Sequence, residues 1–164
     1  MIRIGLLSDT HSFIHPKCFE FFKECSEIWH AGDIGDWETA AELSKFKPFR
    51  AVYGNIDSRE IRSEYPKELI FFTEKMKIVM THIGGYPGRY ERNAAELIRK
   101  ENPDVFICGH SHILKVIFDS KYRALVINPG AAGKYGFHLS MTMIRFVIEN
   151  DQIKNLEVLD IPRK

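Results

Sequence analysis

Five short polar motifs in the sequence contain residue types that bind divalent metal ions. They are Asp9-x-His11, Gly32-Asp33, Gly54-Asn55, Thr81-His82 and Gly109-His110-Ser111-His112. Their carboxylate, imidazole and amide donors suit Mn, Fe, Ni or Zn. Two such ions about 3.5–4 Å apart can share a hydroxide and polarise a phosphoryl oxygen. The donor set therefore predicts a two-metal site.

Each motif by itself has an ordinary structural explanation. The Asp9-x-His11 segment could cap a helix that begins at Pro16, and Gly-Asp and Gly-Asn pairs are typical of turns. A lone His82 is most often a core or surface histidine. The His110-x-His112 pair is the most specific motif, because alternate residues of an extended chain point the same way. Only the occurrence of all five motifs together favours a metal site.

Each motif follows directly after a predicted strand. In open α/β sheets, ligands bind beyond the carboxyl ends of the strands, where side chains from distant parts of the chain meet. Successive motifs are separated by fewer than about 30 residues, the length of one compact βαβ unit. We therefore expect the motifs to converge on one crevice, with Asp33, central in the order, bridging the two metals.

Apolar runs and helical periodicity predict the elements that would position these motifs. Strands and helices alternate in the first two-thirds of the chain, and the last third is mostly strand. This order predicts a mixed-sheet α/β protein with its helices outside. The predicted strands cover 2–7, 27–30, 49–53, 68–72, 77–80, 105–108, 114–118, 124–127, 141–148 and 153–159, and the predicted helices cover 16–25, 37–46 and 91–100.

The bulk composition sets limits on partners and location. Residues 1–164 contain no repeat or Gly/Ser-rich linker, so a single domain is expected. The formal net charge of +1 gives no reason to expect stable binding to nucleic acid or to a membrane surface. The apolar run at 2–7 is too short for a signal peptide or a membrane span, so a cytoplasmic location is expected. The three cysteines are expected to be buried and reduced.

Taken in order, the five motifs resemble those of the calcineurin-like metallophosphoesterases. The Gly54-Asn55-Ile56-Asp57 and Asn128-Pro129-Gly130 segments are similar to those of the compact bacterial and archaeal phosphodiesterase branch. That branch also includes the scaffold subunit of retromer. The resemblance extends from about Ile2 to Gly130. It implies a four-layer α/β/β/α sandwich with two mixed β-sheets.

The resemblance also implies a role for each matching residue. One metal would take Asp9, His11, Asp33 and His112, and the other would take Asp33, Asn55, His82 and His110. Asp33 and Asn55 would be the catalytic residues, the first bridging the metals and the second touching the substrate phosphate. The implied reaction is hydrolysis of a small phosphate ester by a metal-bound hydroxide. Mn is the expected metal, with Ni, Fe and Zn as alternatives.

Two departures from the family pattern bear on the reaction. Many family enzymes have a histidine after the Gly-Asn pair that protonates the leaving group, but this chain has Ile56. Without a general acid, about 10²–10⁴-fold of rate could be missing, which favours phosphodiesters with good leaving groups over monoesters. The segment after His82 is also altered, and its glycines at 84, 85 and 88 predict a flexible loop.

A non-catalytic protein-interaction scaffold on the same fold is the alternative function. Apolar and aromatic residues at 69–72 and 137–143 would provide its exposed surface, and the late hairpins could also pack in a homo-oligomer. A scaffold need not keep every metal ligand, whereas this chain keeps all seven. We therefore expect an enzyme.

Overall fold

Two mixed five-stranded sheets form the centre of the computed structural model, which describes residues 1–136 and 138–163. In the first sheet the strand order is β12-β11-β1-β2-β3, and in the second it is β4-β5-β8-β10-β9. The first sheet contains β1 (Ile2–Leu7), β2 (Glu27–His30), β3 (Phe49–Ala51), β11 (Ser140–Glu149) and β12 (Gln152–Pro162). The second contains β4 (Glu68–Thr73), β5 (Met76–Thr81), β8 (Val105–Ile107), β9 (Leu114–Asp119) and β10 (Ala124–Pro129). A small ribbon pairs β6 (Gly85–Tyr86) with β7 (Arg89–Tyr90).

Four described helices cover the outer faces of the sheets. They are α1 (Lys17–Phe21), α2 (Trp37–Phe46), α3 (Arg59–Glu64) and α4 (Arg92–Glu101). Within the described residues, no helix has the length and apolar character needed to cross a membrane.

Neighbouring residues along a strand point to opposite faces of the sheet, and this alternation builds the layers. In β1, Leu6 packs between the two sheets, whereas Leu7 packs with residues of α1 and α2. In β5, Ile78 packs between the sheets and Val79 packs against α4. The structure is therefore a four-layer α/β/β/α sandwich, which confirms the predicted fold.

Strand direction brings the functional motifs to one end of the molecule. Strands β1, β2 and β3 are parallel, as are β5, β8 and β10. The antiparallel strands β11, β12, β4 and β9 complete the sheets. Because the motifs follow β1, β2, β3, β5 and β8, they all leave parallel strands at carboxyl ends.

The predicted helix over 16–25 is too long, since α1 ends at Phe21. The chain must leave the helix because the N–H of Ser26 donates to the carbonyl of Arg3, which starts β2 alongside β1.

Helix α3 was not predicted. Its buried surface is limited to Ile61, so it has no apolar periodicity, although the Ser58 side chain accepts a hydrogen bond from the Ile61 N–H as an N-cap. The predicted loop after His82 contains the β6–β7 ribbon, in which Gly85 has a φ of +81°.

Candidate metal centre

The five motifs meet beyond the carboxyl ends of their strands, where backbone hydrogen bonds join one motif to the next. The His11 N–H donates to the Asp33 carbonyl at 3.1 Å, which fixes the β1 loop against the β2 loop. The Gly109 N–H donates to the His82 carbonyl at 2.9 Å, which fixes the β8 loop against the β5 loop. These bonds hold residues distant in sequence in one crevice.

A first group of side chains is formed by Asp9, His11 and His112. One donor atom from each lies within 4.8 Å of the others. Asp9 Oδ1 is 3.2 Å from His112 Nε2 and 3.7 Å from His11 Nε2. This carboxylate and two imidazoles could hold one divalent ion.

A second group is formed by Asp33, His82 and His110, whose donor atoms also lie within 4.8 Å of one another. Asp33 Oδ2 is 3.2 Å from His82 Nε2. The Asn55 side chain joins this group, because its Oδ1 lies 3.0 Å from His110 Nδ1. The group matches the donors expected for a second ion.

Asp33 lies between the two groups. Its Oδ2 is 3.6 Å from His11 Nε2 in the first group, a separation close to that from His82 in the second. Its Oδ1 accepts a hydrogen bond from the Ile56 N–H at 3.0 Å. A Cβ at Gly54 would collide with the Asp33 carboxylate and backbone, so glycine is required there. The backbone thus holds one oxygen of Asp33 and leaves the other facing both groups.

Several donor atoms of the two groups are buried without a hydrogen bond of acceptable geometry among the described residues. They are Asp9 Oδ1, His11 Nε2 and His82 Nε2. Asp9 is fully buried and His82 is only 3% exposed, so water does not readily compensate them. Unpartnered buried polar atoms are costly and rare in folded proteins. Their clustering here fits a site that binds cations.

The carboxylates of the centre favour their charged forms. Burial opposes ionisation of Asp9, but the adjacent imidazoles of His11 and His112 hold its pKa well below its usual range. Burial also opposes ionisation of Asp33, and the adjacent His82 lowers its pKa in spite of that. Ionised carboxylates are the form that a metal requires.

Asp57 holds two of the motif loops together, a role that sequence reasoning did not assign. Its buried carboxylate accepts hydrogen bonds from the N–H groups of Ile34 (3.2 Å), Gly35 (2.8 Å) and Gly54 (2.8 Å). The loop after Asp33 is thereby tied to the turn that presents Asn55. The signal in the sequence was the aspartate of the Gly-Asn-x-Asp segment.

His30 is fully buried behind the first group of ligands. Burial lowers the pKa of His30 to about 3, so the ring is neutral at ordinary pH. Its Nδ1 accepts from the Gly32 N–H at 3.1 Å, which leaves Nε2 to donate to Thr10 Oγ1 at 3.0 Å. The Thr10 hydroxyl in turn donates to the Ile34 carbonyl at 2.8 Å. This chain of bonds positions the residue between Asp9 and His11.

Asn128 supports the loop that presents His110 and His112. Its Nδ2 donates to the Gly109 carbonyl and to Ser111 Oγ, both at 3.0 Å. Its Oδ1 accepts from the Gly130 N–H. The Asn-Pro-Gly segment thus acts on the β8 loop from the neighbouring strand β10.

A family profile and a curated relative that match this sequence are both phosphoesterases. A profile of the calcineurin-like phosphoesterase superfamily domain matches residues 2–151. A probable metallophosphoesterase of Methanothermobacter thermautotrophicus is 30% identical over 135 residues, which cover 78% of this chain and 76% of that protein.

Two solved structures share the fold. A structure of an archaeal phosphodiesterase superposes with a TM-score of 0.74 at 24% identity, covering 96% of this chain and 100% of that one. Vps29 of Entamoeba histolytica complexed with zinc superposes with a TM-score of 0.74 at 17% identity, covering 99% and 100%. At these identities the two structures are evidence of the fold alone.

Proposed function

The chain belongs to the calcineurin-like phosphoesterase superfamily, and we propose that it is a phosphodiesterase that uses two divalent metal ions. The observation that supports this most directly is the pair of neighbouring Asp/His groups, in which Asp33 Oδ2 lies 3.2 Å from His82 Nε2 of its own group and 3.6 Å from His11 Nε2 of the other. The first ion would take Asp9, His11, Asp33 and His112. The second would take Asp33, Asn55, His82 and His110. Mn is the proposed metal.

Bound metals would supply Lewis acidity toward a phosphoryl oxygen and acidify a coordinated water. The residues of the chain would orient that chemistry. Asp33 would be the ligand common to both ions, while the Ile56 N–H keeps its Oδ1 in place. The Asn55 amide, 3.0 Å from His110 through Oδ1, would contact the substrate phosphate. Because these side chains are already in place, they need not rearrange when negative charge develops in the transition state.

The residue after Asn55 bears on which leaving groups the site can accept. The Ile56 side chain is 48% exposed and has no group that could donate a proton to a leaving oxygen. Proton donation by a placed side chain contributes about 10²–10⁴-fold in rate, and esters whose leaving group is a strongly basic alkoxide depend on it most. Phosphodiesters with leaving groups that depart unprotonated would therefore be the better substrates.

The test is hydrolysis of bis-p-nitrophenyl phosphate with added Mn²⁺, compared with p-nitrophenyl phosphate. Asp33→Ala and His110→Ala should each lower kcat/KM by about 10³-fold or more, because each removes a group that holds the proposed metals. His15→Ala is the matched control, since His15 lies at the start of α1 and contacts the Lys17 N–H instead of the centre. Activity that survives either ligand substitution would refute the assignment.

A scaffold function is the second candidate, and an exposed apolar edge favours it. In β4, Ile70 is 43% exposed and Phe72 is 67% exposed, whereas Leu69 and Phe71 pack against the core between the sheets. Only half of the surface expected at 69–72 is therefore available to a partner.

The second apolar segment, residues 137–143, is also only partly exposed. Leu139 is 88% exposed, Met141 and Met143 are buried, and Phe137 lies outside the described residues. Metal analysis combined with the hydrolysis assay separates the two functions. Purified protein that holds no metal near stoichiometry after Mn²⁺ loading, and hydrolyses neither ester, would favour the scaffold.

A further inference from the structure

A cavity of about 530 Å³ opens beside the candidate metal centre. Asn55 and His82, both proposed ligands of the second metal, form part of its wall. The rest of the wall comes from the chain neighbours of Asn55 and His82, from α3, from residues 67 and 68 at the start of β4 and from the first turn of α4. A molecule held at the second metal could therefore extend into this space without leaving the protein.

The cavity is larger than a phosphate group needs. Pockets for organic ligands span about 300–1,000 Å³, and this volume lies within that range. If the scissile phosphate is held by the metals, the cavity is left for one of its organic substituents. Apolar surface from Tyr53 and Ile83 would contact such a group.

Three cationic side chains line the cavity. Arg62 is held in place by its neighbours, because its Nε donates to the Asp57 carbonyl and its Nη2 donates to the Asn55 carbonyl. Lys67 lies at the start of β4, and Arg92 is the first residue of α4. Arg92 lies 3.5 Å from Glu96, but that pair is exposed and therefore weak.

Two carboxylates, Glu68 and Glu91, also line the wall, so three cations and two anions leave one net positive charge. The first turn of α4 adds to it. Residues 91–94 border the cavity, and Glu91 at the N-cap makes no side-chain capping bond. The positive end of the ten-residue helix therefore faces the cavity, which favours an anionic group there.

We propose that this cavity binds an organic substituent of about nucleoside size that bears a negative charge besides that of the scissile phosphate. The inference rests on the proposed phosphodiesterase function, since that function places the scissile phosphate next to Asn55 and His82. The substrate would be a small phosphodiester with at least two anionic groups separated by a sugar-sized spacer.

Calorimetric binding to the Mn²⁺-loaded protein tests the cavity without relying on turnover. The probes are inorganic phosphate, thymidine 5′-monophosphate and thymidine 3′,5′-bisphosphate. The monophosphate should bind more tightly than phosphate, because the cavity adds contacts to the nucleoside. The bisphosphate should bind about tenfold more tightly than the monophosphate, which is more than the twofold statistical gain from two equivalent phosphates.

Substitutions in the wall make the test specific. In the double variant Lys67→Ala/Arg92→Ala, the ratio between the bisphosphate and monophosphate affinities should fall to about two. Glu68→Gln should raise that ratio, an effect that loss of structure would not produce. The double variant Arg99→Ala/Lys100→Ala removes the same charge at the other end of α4 and, as the matched control, should leave the ratio unchanged.

The outcomes separate the cavity from the reaction. The cavity assignment would be overturned if the unmodified protein bound the two nucleotides equally, or if the Lys67 and Arg92 substitutions left the affinity ratio unchanged. Hydrolysis of bis-p-nitrophenyl phosphate would still support the phosphodiesterase in either case. Selective nucleotide binding without hydrolysis of any diester would overturn the phosphodiesterase and leave a nucleotide-binding protein.

Discussion

At the scale of single residues, the candidate centre contains an unusual concentration of left-handed backbone. Five of the seven proposed ligands have positive φ although none is glycine. They are Asp9 (54°), His11 (46°), Asp33 (57°), His110 (68°) and His112 (64°). Such conformations cost about 1–3 kcal/mol each and persist where the surroundings hold them, typically at functional sites. The sequence gives no local signal for them, because they depend on hydrogen bonds from other loops.

The dependence of the loop conformations on hydrogen bonds from other parts of the chain can be measured at Asp57. Asp57→Ala would leave three backbone N–H groups, from Ile34, Gly35 and Gly54, without their acceptor. We expect a loss of about 3 kcal/mol in the free energy of unfolding by urea, because buried donors left unsatisfied cost about 1–3 kcal/mol each and partly find water. Activity should fall as well, since the turn with Asn55 loses its anchor.

Asp151→Ala is the control for that measurement, because Asp151 is exposed in the turn between β11 and β12. Equal unfolding free energies for the two variants would show that Asp57 does not hold the loops.

At the scale of elements, α4 links the core to the proposed substrate cavity. Its inner face packs Ala94, Leu97 and Ile98 against Val79 and Phe106 of the second sheet. Its first turn borders the cavity. The position of the cavity wall therefore depends on packing at a distance from the metal centre.

Ile98→Ala tests this packing. The side chain is 1% exposed, and removal of such a residue costs about 2–5 kcal/mol through lost burial and the cavity that remains. Chemical denaturation followed by circular dichroism measures the loss. Glu96→Ala, on the exposed face of the same helix, should change stability by less than about 0.5 kcal/mol. A similar loss in both variants would contradict the packing role of Ile98, because alanine has the highest helix propensity and neither substitution weakens the helix by that route.

The elements also show where local patterns suffice. The predicted bounds of α2 agree with the structure at 37–46, because apolar residues at helical spacing lie between Asp36, whose side chain caps the helix, and Pro48. Helix α3 was missed because a six-residue helix with Ile61 as its buried residue has no periodicity to detect.

At the scale of the whole molecule, metal binding and folding should be coupled. The candidate ligands come from five separate strand ends, so the complete site exists only in the folded chain. A metal present at 100 times its Kd would stabilise the folded state by about 2.7 kcal/mol, which corresponds to about 5–10 °C in Tm for a chain of this size. We expect Mn²⁺ to raise Tm by this amount over chelator-treated protein.

Asp33→Ala should abolish most of that shift, because both groups lose their shared carboxylate. Identical melting curves with and without Mn²⁺, in protein shown to be stripped of metal, would contradict the proposed centre.

The sequence by itself determined the types of the seven donor side chains, the strands that precede them and a mixed-sheet α/β fold, and the family resemblance implied the four-layer sandwich. Period-two and helical patterns are local, and the motifs are short enough to recognise. The tertiary structure decided which backbone groups Asp57, His30 and Asn128 hold, and that a cavity lies beside Asn55. These features depend on strand order, loop geometry and contacts between residues far apart in the chain, which no local pattern specifies.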